Sequence, residues 1–204
     1  MAEPELKLES QETAPSPLDG EVLTTDDTGA IKQRSNFKNG KLQGETVIYD
    51  ETGSVVQRVN FRDGLMDGEM VFFDRGNVLM KSAYRDGRLD GLSTTFDENG
   101  KPVMQAQFKD GKLNGDSAWY DKQGRVLKRS QFREDKLEGV TVEYYPSGRP
   151  QTRSQYKANK LHGEMVEYTE DGKIKARVLF KAGEPQPQIT EAGATNSALA
   201  ERRI

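Results

Sequence analysis

Cysteine is absent from the 204 residues of this chain, and histidine occurs only once, as His162. Without cysteine there is no disulfide framework, no thiolate ligand for zinc and no thiol nucleophile. A lone histidine has no second histidine or cysteine with which to form a nucleophile and base pair or a zinc site. We therefore expect no catalytic residues, no bound metal and no cofactor.

Long apolar runs are also missing. Only 33% of the residues are hydrophobic and 31% are charged, which predicts a thin fold without a deep two-sided core. No run is as long as a membrane-spanning helix, and residues 1–11 lack the basic start and apolar run of a signal peptide. The formal net charge is −3 with both signs interleaved, so no basic field attracts nucleic acid. We expect a cytoplasmic protein that binds no nucleic acid.

The chain does contain an internal repeat. An aromatic residue recurs at spacings of 24, 23, 24, 24, 24 and 24 residues, and a glycine, Asp or Asn follows each one three positions later. After each of the first six of these aromatic residues, a leucine or methionine follows after five positions, a glycine after seven and a second aromatic residue after twelve. The first aromatic set, called the anchor column here, is Phe37, Phe61, Tyr84, Phe108, Phe132, Tyr156 and Phe180. The second aromatic column is Tyr49, Phe73, Phe96, Tyr120, Tyr144 and Tyr168, and the glycine column is Gly44, Gly68, Gly91, Gly115, Gly139 and Gly163.

An eroded copy precedes these six full copies. Leu18, Gly20 and Gly29 keep the register, but Thr25 stands where the second aromatic residue is expected. A degenerate terminal unit is typical of a capping repeat. We therefore place the repeat array at residues 18–183, between a disordered tail at 1–17 and a proline-containing tail at 184–204 that could form a short helix at 195–204.

Each copy has the pattern of two short strands. Alternate residues such as Val47 and Tyr49, or Val59 and Phe61, share one face of a strand. Turn signals recur about every twelve residues, and Asn-Gly or Asp-Gly pairs favour tight primed turns between antiparallel strands. Those pairs are Asn39-Gly40, Asp63-Gly64, Asp86-Gly87, Asn99-Gly100, Asp110-Gly111 and Asp171-Gly172. The sequence predicts an all-β fold, an elongated antiparallel β-meander of stacked hairpins with twelve strands and a length of about 60 Å.

The repeated string resembles a known family. Residues 61–69 read FRDGLMDGE and residues 108–116 read FKDGKLNGD, which is similar to the variant MORN repeat of bacterial YwqK-type antitoxins. The resemblance implies a β-hairpin array that binds lipid headgroups or proteins or sets dimer geometry, and an antitoxin role for the chain.

The candidate partner-binding residues are Ile48, Phe72, Trp119 and Tyr145. If the second aromatic column packs inward, alternation turns these neighbouring apolar side chains outward, where they could anchor a protein partner. Two alternatives stay open: a thin array simply exposes some apolar surface, or the C-terminal segment folds back over it. By contrast, His162 falls at a position that is polar in every copy, so we interpret it as an exposed polar position in a turn.

Together these observations favour a non-enzymatic protein-binding repeat protein of the bacterial cytoplasm. The resemblance implies its sharpest form, an antitoxin or immunity-type protein that blocks a cognate toxin or effector. One alternative is a scaffold that oligomerises through its terminal strands. Another is a peripheral lipid-headgroup binder, which is disfavoured because basic residues such as Arg62 and Arg85 stand beside Asp63 and Asp86 at the turns.

Overall fold

The computed structural model of the chain describes residues 18–187, and it contains only strands and turns over that range. Sixteen strands follow one another along the chain. They are β1 (Gly20–Thr25), β2 (Ile31–Lys38), β3 (Lys41–Leu42), β4 (Gly44–Tyr49), β5 (Val55–Arg62), β6 (Leu65–Asp74), β7 (Asn77–Arg85), β8 (Arg88–Phe96), β9 (Pro102–Lys109), β10 (Lys112–Tyr120), β11 (Val126–Arg133), β12 (Lys136–Tyr144), β13 (Pro150–Lys157), β14 (Lys160–Tyr168), β15 (Ile174–Lys181) and β16 (Glu184–Pro185).

All strands belong to one antiparallel sheet in which spatial order follows chain order. The predicted all-β meander is therefore confirmed. The predicted number of twelve strands is wrong, for two reasons. The degenerate first copy forms a complete hairpin of β1 and β2, and the two-residue strands β3 and β16 extend the ladders of β2 and β15.

At one end of the strands, along one side of the sheet, the hairpins close with two-residue primed turns. Asp63 and Gly64 have φ angles of 51° and 86°, as a type I′ turn requires. The second turn residue also donates its N–H to the preceding repeat, as Gly64 does to the carbonyl of Leu42 at 2.9 Å. Each turn therefore joins neighbouring repeats as well as neighbouring strands.

At the opposite end of the strands, the prediction of primed turns at Asn99-Gly100 and Asp171-Gly172 is wrong. Only the glycine has a positive φ there, 74° at Gly100 and 90° at Gly172. The loop is instead a type I turn followed by a glycine bulge, and the Oδ1 atom of Asp97 accepts the N–H groups of Asn99 and Lys101 at 2.9 and 2.8 Å. A carboxylate two residues before the Asn-Gly pair thus sets a longer loop.

The single spacing of 23 residues between anchor residues arises at this same end of the strands. Arg75 and Gly76 both have positive φ, 48° and 81°, so the loop between β6 and β7 is a two-residue primed turn. Asp74 pairs directly with Asn77 across it. One residue is lost from the loop and the remaining repeats keep their register.

The glycine column lies at an irregularity in the ladder, where the strand bulges beside the anchor strand that precedes it. Its φ angles run from 78° at Gly44 to 122° at Gly91. A Cβ atom on Gly91 would lie 2.9 Å from the Cβ of Ala83. On its other side each of these glycines pairs with the anchor residue of the next strand, as Gly91 does with Phe108, so an aromatic ring stands opposite the missing side chain.

The buried residues form one row across each face of this single sheet. On the face that carries the anchor column, called the anchor face, the row consists mostly of small side chains paired strand to strand, and most are 1–6% exposed. Its members, the central row, are Ser35, Thr46, Val59, Met70, Ser82, Ser93, Ala106, Ser117, Ser130, Thr141 and Ser154. The opposite face, called the second face, buries Val47, Val71, Thr94 and Val166. The core is therefore two thin rows, one on each side of the sheet.

The array extends two residues beyond its predicted end at Gly183. Pro185 pairs with Phe180 as Leu42 pairs with Phe37, so it takes the leucine position of the repeat and does not terminate the preceding strand. The predicted tail at 1–17 and the predicted helix at 195–204 lie outside the described residues.

Candidate partner-binding surface

Three of the predicted site residues lie in one line on the anchor face. Ile48 pairs with Gln57, which pairs in turn with Phe72, and Trp119 follows four strands farther along the same line. The positions between Phe72 and Trp119 are Met80, Thr95 and Met104, each paired with the next. We call Ile48, Phe72, Met80, Met104 and Trp119 the apolar row.

The apolar row runs from β4 to β10, six strand spacings or about 30 Å. All five of its side chains are half-buried. Of these, Ile48, Phe72 and Trp119 were predicted to point outward. Each of the five leaves one side open, but neighbouring strands cover its flanks. The row lies beside the buried central row, since Phe72 follows Met70 by two residues on the same face.

At its C-terminal end the row becomes charged. Lys128 pairs with Trp119, and its Nζ atom lies 5.5 Å from the centre of the indole ring, within the range of a cation–π contact. The next first-strand positions on this line are Glu143 and Glu167, and Lys175 donates to Glu167 at 2.6 Å. The apolar part of this line therefore ends at Trp119, and beyond it the line carries charged side chains.

Tyr145 does not belong to the apolar row. It lies one residue beyond β12, at the first position of the hairpin loop, where its N–H donates to the carbonyl of Arg149 at 2.8 Å. Its hydroxyl donates to the carbonyl of Tyr168 in the next repeat, also at 2.8 Å. The Tyr145 side chain thus links two repeats through a hydrogen bond. The other copies have an aspartate or threonine at this position.

Met80 and Met104 were not identified from the sequence. Both stand four residues before an anchor residue, Tyr84 and Phe108, on the second strand of their copies. Comparing first strands with one another does not reveal them, because the row is built from both strands of each hairpin. Aligning the residues four before each anchor with those eleven after it would have found them.

The second face carries a basic column that was also missed. A basic residue stands three positions before the anchor in all copies but one, where Gln105 occupies the position: Arg34, Arg58, Lys81, Arg129, Arg153 and Arg177. Acidic side chains of the neighbouring strands balance much of this charge, since Arg34 lies 3.9 Å from Glu21 and 4.0 Å from Glu45. Arg58 also lies 5.8 Å above the ring of Phe73. The column is an ionic ladder and not a uniform positive field.

His162 has a structural contact. Its Nδ1 atom accepts the N–H of Ala182, in the primed turn of the next repeat, at 3.4 Å. Gln43 and Glu138, at the equivalent position of other copies, accept from Asp63 and Ala158 at 3.0 and 2.8 Å. The polar position therefore accepts a turn N–H that would otherwise face solvent, which explains why its residue type varies but stays an acceptor.

Within residues 18–187, no three His, Asp or Glu side chains are grouped closely enough to hold a metal ion. The same part of the chain contains no helix that is long and apolar enough to cross a membrane.

Comparison with solved structures gives only weak likenesses. TarM is 16% identical with a TM-score of 0.33, over 46% of this chain and 20% of its own. An S. aureus TarM variant bound to fondaparinux, alpha-GlcNAc-glycerol and UDP is 12% identical with a TM-score of 0.27, over 61% and 20%. A GtfA/B complex with UDP and GlcNAc is 14% identical with a TM-score of 0.24, over 56% and 22%. This chain spans about a fifth of the length of these proteins.

No curated protein matches the sequence significantly. Four segments, residues 40–63, 89–110, 137–158 and 161–182, match the MORN repeat variant. These segments share the 24-residue register of the anchor column. The hairpins that lie between the matched segments belong to the same antiparallel sheet. The chain therefore contains repeats of the MORN variant type in these four segments.

Proposed function

We propose that this chain is a non-enzymatic protein that binds another protein through the apolar row. MORN repeats are in general protein-binding or membrane-binding modules. The observation that carries the proposal is a line of large apolar side chains from Ile48 to Trp119, on the surface of a chain that is only 33% hydrophobic. Five of its seven positions are apolar, and Gln57 and Thr95 occupy the other two.

The geometry of the row suits a binding surface. Large aromatic and methionine side chains are the residue types that contribute most to protein interfaces. The flanks of Phe72 and Trp119 are already packed, so little side-chain freedom is lost when a partner covers the remaining open side. Methionine adapts to irregular surfaces, which suits Met80 and Met104 to contact around the two aromatic anchors.

The finer form of the proposal is an antitoxin or immunity-type protein of the bacterial cytoplasm that blocks a cognate toxin or effector. It is supported by the resemblance of the repeated string to YwqK-type antitoxins and by the length of the row. A strip of about 30 Å is long enough to lie across the active surface of a small protein. Inhibition would be steric, and no residue of this chain would take part in a reaction.

A pull-down from the native host tests the proposal. The double variant Phe72→Ser, Trp119→Ser should keep the β-sheet circular dichroism spectrum and lose the bound protein. Leu92→Ser is the matched control, since Leu92 is 42% exposed and lies on the second face, and it should retain the partner. Equal capture by the double variant and the wild type would refute the role of the row.

Toxin neutralisation is tested separately. Co-expression with each protein encoded beside this chain should reveal one whose toxicity the wild type suppresses and the double variant does not. Binding without suppression would support an adaptor in place of an antitoxin.

The lipid-binding alternative is less well supported, because the basic residues at the turns are paired. Arg62 lies 2.5 Å from Asp67, and Arg85 lies 3.7 Å from Asp90. We expect no salt-sensitive co-flotation with anionic vesicles, and strong co-flotation would favour the membrane over a protein partner.

A further inference from the structure

The apolar row is symmetric about Thr95, which separates its two methionines. Met80 and Met104 pair with Thr95 on either side, and the aromatic residues Phe72 and Trp119 follow one strand farther out. Thr95 is exposed, whereas its four larger neighbours are half-buried. A two-fold axis that passes over Thr95 parallel to β8 would therefore exchange Phe72 with Trp119 and Met80 with Met104.

A second line of large apolar side chains follows the apolar row along the anchor face. Anchor residues pair there with the leucine or methionine five positions later, as Tyr84 pairs with Leu89. Tyr84 lies four residues from Met80 on β7, and buried Ser82 of the central row stands between them. From β5 to β10 the members of the second line are all half-buried: Phe61, Met66, Tyr84, Leu89, Phe108 and Leu113. The anchor face therefore presents two parallel apolar lines with mostly small side chains between them.

The described sheet supplies only one of the two layers with which folds bury an apolar sheet face. All strands of residues 18–187 belong to this sheet, so no second layer of these residues covers the anchor face. Between β4 and β10 the two lines span about 30 Å by about 20 Å with their side chains, or about 600 Å². Two such faces together would bury about 1,200 Å², which is the lower end of the range for stable protein interfaces. The area is sufficient for a dimer, and the symmetry of the row favours one.

We propose that two copies of this chain pack their anchor faces together as a symmetric dimer, with the two-fold axis over Thr95 and parallel to β8. Phe72 of each copy would contact Trp119 of the other, and Met80 would contact Met104. The strands of the two sheets would run nearly parallel about 10 Å apart, which is the ordinary geometry of stacked sheets. Because both copies use the same surface, association stops at two copies.

The side chains that face each other in this arrangement are chemically compatible. Aromatic pairs are favourable, and methionine adapts to the surface that it meets. Lys128 of one copy would face the amide of Gln57 of the other, since each lies three strands from β8. The exposed Glu143 would lie at the rim beside Ile48, since each lies four strands from β8. Like charges therefore do not meet along this line.

This proposal rests on the proposed function in one respect, because both take the apolar row as a binding surface. The dimer would cover the row when no other protein is bound, and a bound partner would compete with the second copy. The two proposals can fail separately. Partner capture that depends on Phe72 and Trp119, by a chain that stays monomeric, would refute only the dimer. A dimer that captures no other protein would refute only the proposed function.

Light scattering of the purified full chain over a concentration series tests the dimer. The mass should rise to a plateau at twice the 22.9 kDa of one chain. The double variant Phe72→Ser, Trp119→Ser should weaken dimerisation at least about a hundredfold, because the symmetric interface loses each aromatic anchor twice. Leu92→Ser, on the second face, is the control and should dimerise like the wild type. A mass of one chain throughout the micromolar range, a rise beyond two copies or an unaffected double variant would each overturn the proposal.

Cysteine cross-linking locates the axis, because the chain has no cysteine of its own. Thr95→Cys should cross-link to a second copy through a short bis-maleimide, since the axis passes over this position. Leu92→Cys, on the opposite face of the same strand, is the matched control and should not cross-link. Absence of a cross-link in Thr95→Cys, with its circular dichroism spectrum intact, would overturn the dimer.

A pair of cysteine variants tests the direction of the axis. Gln57 and Lys128 lie six strand spacings apart in one chain, or about 30 Å, which the short linker cannot span. Gln57→Cys mixed with Lys128→Cys should give a cross-linked dimer, because these positions face each other across the interface, and neither variant should cross-link alone. Cross-linking of Gln57→Cys to itself would mean that the axis runs along the row, and it would refute the proposed arrangement.

Discussion

Asp135 and Leu113 exchange two hydrogen bonds across a repeat boundary. The N–H of Asp135 donates to the carbonyl of Leu113 at 3.0 Å, and the Oδ1 atom of Asp135 accepts the N–H of Leu113 at 2.8 Å. Asn159 makes the same second contact with the N–H of Leu137 at 2.7 Å. These are the two copies in which the turn glycine is replaced, so the side chain offers a bond between repeats that glycine cannot make.

Asp135→Ala should therefore destabilise the fold more than Asp135→Gly. Alanine loses the carboxylate and must also hold a φ of 64°, which costs about 1 kcal/mol beyond the lost hydrogen bond. Glycine loses the bond but adopts that φ freely. Urea denaturation should rank the wild type first, then Asp135→Gly, then Asp135→Ala. Equal midpoints for all three proteins would show that the contact is not stabilising.

The glycine column should tolerate substitution less well than the loop glycines. In Gly91→Ala the new Cβ would lie 2.9 Å from that of Ala83 at a φ of 122°. Gly100→Ala has open space and a φ of 74°, so it should cost only about 1 kcal/mol for the left-handed conformation. We expect Gly91→Ala to be at least about 2 kcal/mol more destabilising by urea denaturation.

The second variant needed here is Ala83→Gly combined with Gly91→Ala. Removing the methyl group of Ala83 relieves the close contact but not the backbone strain, so part of the lost stability should return. No recovery would assign the whole cost to the backbone conformation at Gly91.

The sequence was sufficient for the meander because its signals are local and repeated. Each anchor residue, turn glycine and column glycine independently fixes the same register, so even the degenerate copy at Leu18 could be placed. The turn types were harder to predict, since Asn99-Gly100 resembles Asp63-Gly64 as a dipeptide and only the hydrogen bonds of Asp97 distinguish the loops. A dipeptide alone does not show which neighbouring side chain accepts the backbone N–H groups of a longer loop.

The candidate surface could be predicted only in part, because it depends on pairing between strands. Ile48, Phe72 and Trp119 share a template position, so comparing repeats was enough to bring them together. Met80 enters the row only through its pairing with Phe72 and Thr95. Tyr145 lies outside the row because the alternation of a strand does not continue beyond the end of β12, where the loop begins.

Ser117 should be replaceable without loss. It is 2% exposed, and within the described structure its hydroxyl has no hydrogen-bond partner, whereas Thr141 donates to Ser130 at 3.0 Å in the same row. Ser117→Ala removes a buried polar group that is not satisfied, and it should raise the free energy of unfolding by about 1 kcal/mol.

Thr141→Val is the contrasting change in this row. It keeps the shape of the side chain but removes the donor to Ser130, so it should lower the free energy of unfolding by about 1 kcal/mol. Urea denaturation of both variants measures the difference. A loss of stability in Ser117→Ala similar to that in Thr141→Val would mean that the Ser117 hydroxyl has a partner in solution, such as an ordered water.

The loop aspartates should make the stability of the array depend on pH in the acid range. A hydrogen bond from the Thr28 hydroxyl, 2.6 Å from Oδ1, is the main cause that lowers the pKa of Asp26 from its ordinary value of 3.8 to about 2. The N–H groups of Ala30 and Thr28 also lower this pKa, and Lys32 contributes, while desolvation opposes them. The Thr52 hydroxyl is likewise the first cause that lowers the pKa of Asp50.

Because the pKa of Asp26 is lower in the folded than in the unfolded chain, its ionised form stabilises the fold above about pH 4. That contribution is lost as the pH falls from about 4 to 2. Thr28→Val should raise the pKa of Asp26 in an NMR titration, though not to 3.8, since the backbone donors remain. It should also reduce the fall of the urea midpoint over that pH range. Thr28→Ser keeps the hydroxyl and should titrate like the wild type, and an unchanged Asp26 pKa in Thr28→Val would assign the shift to the backbone donors and Lys32.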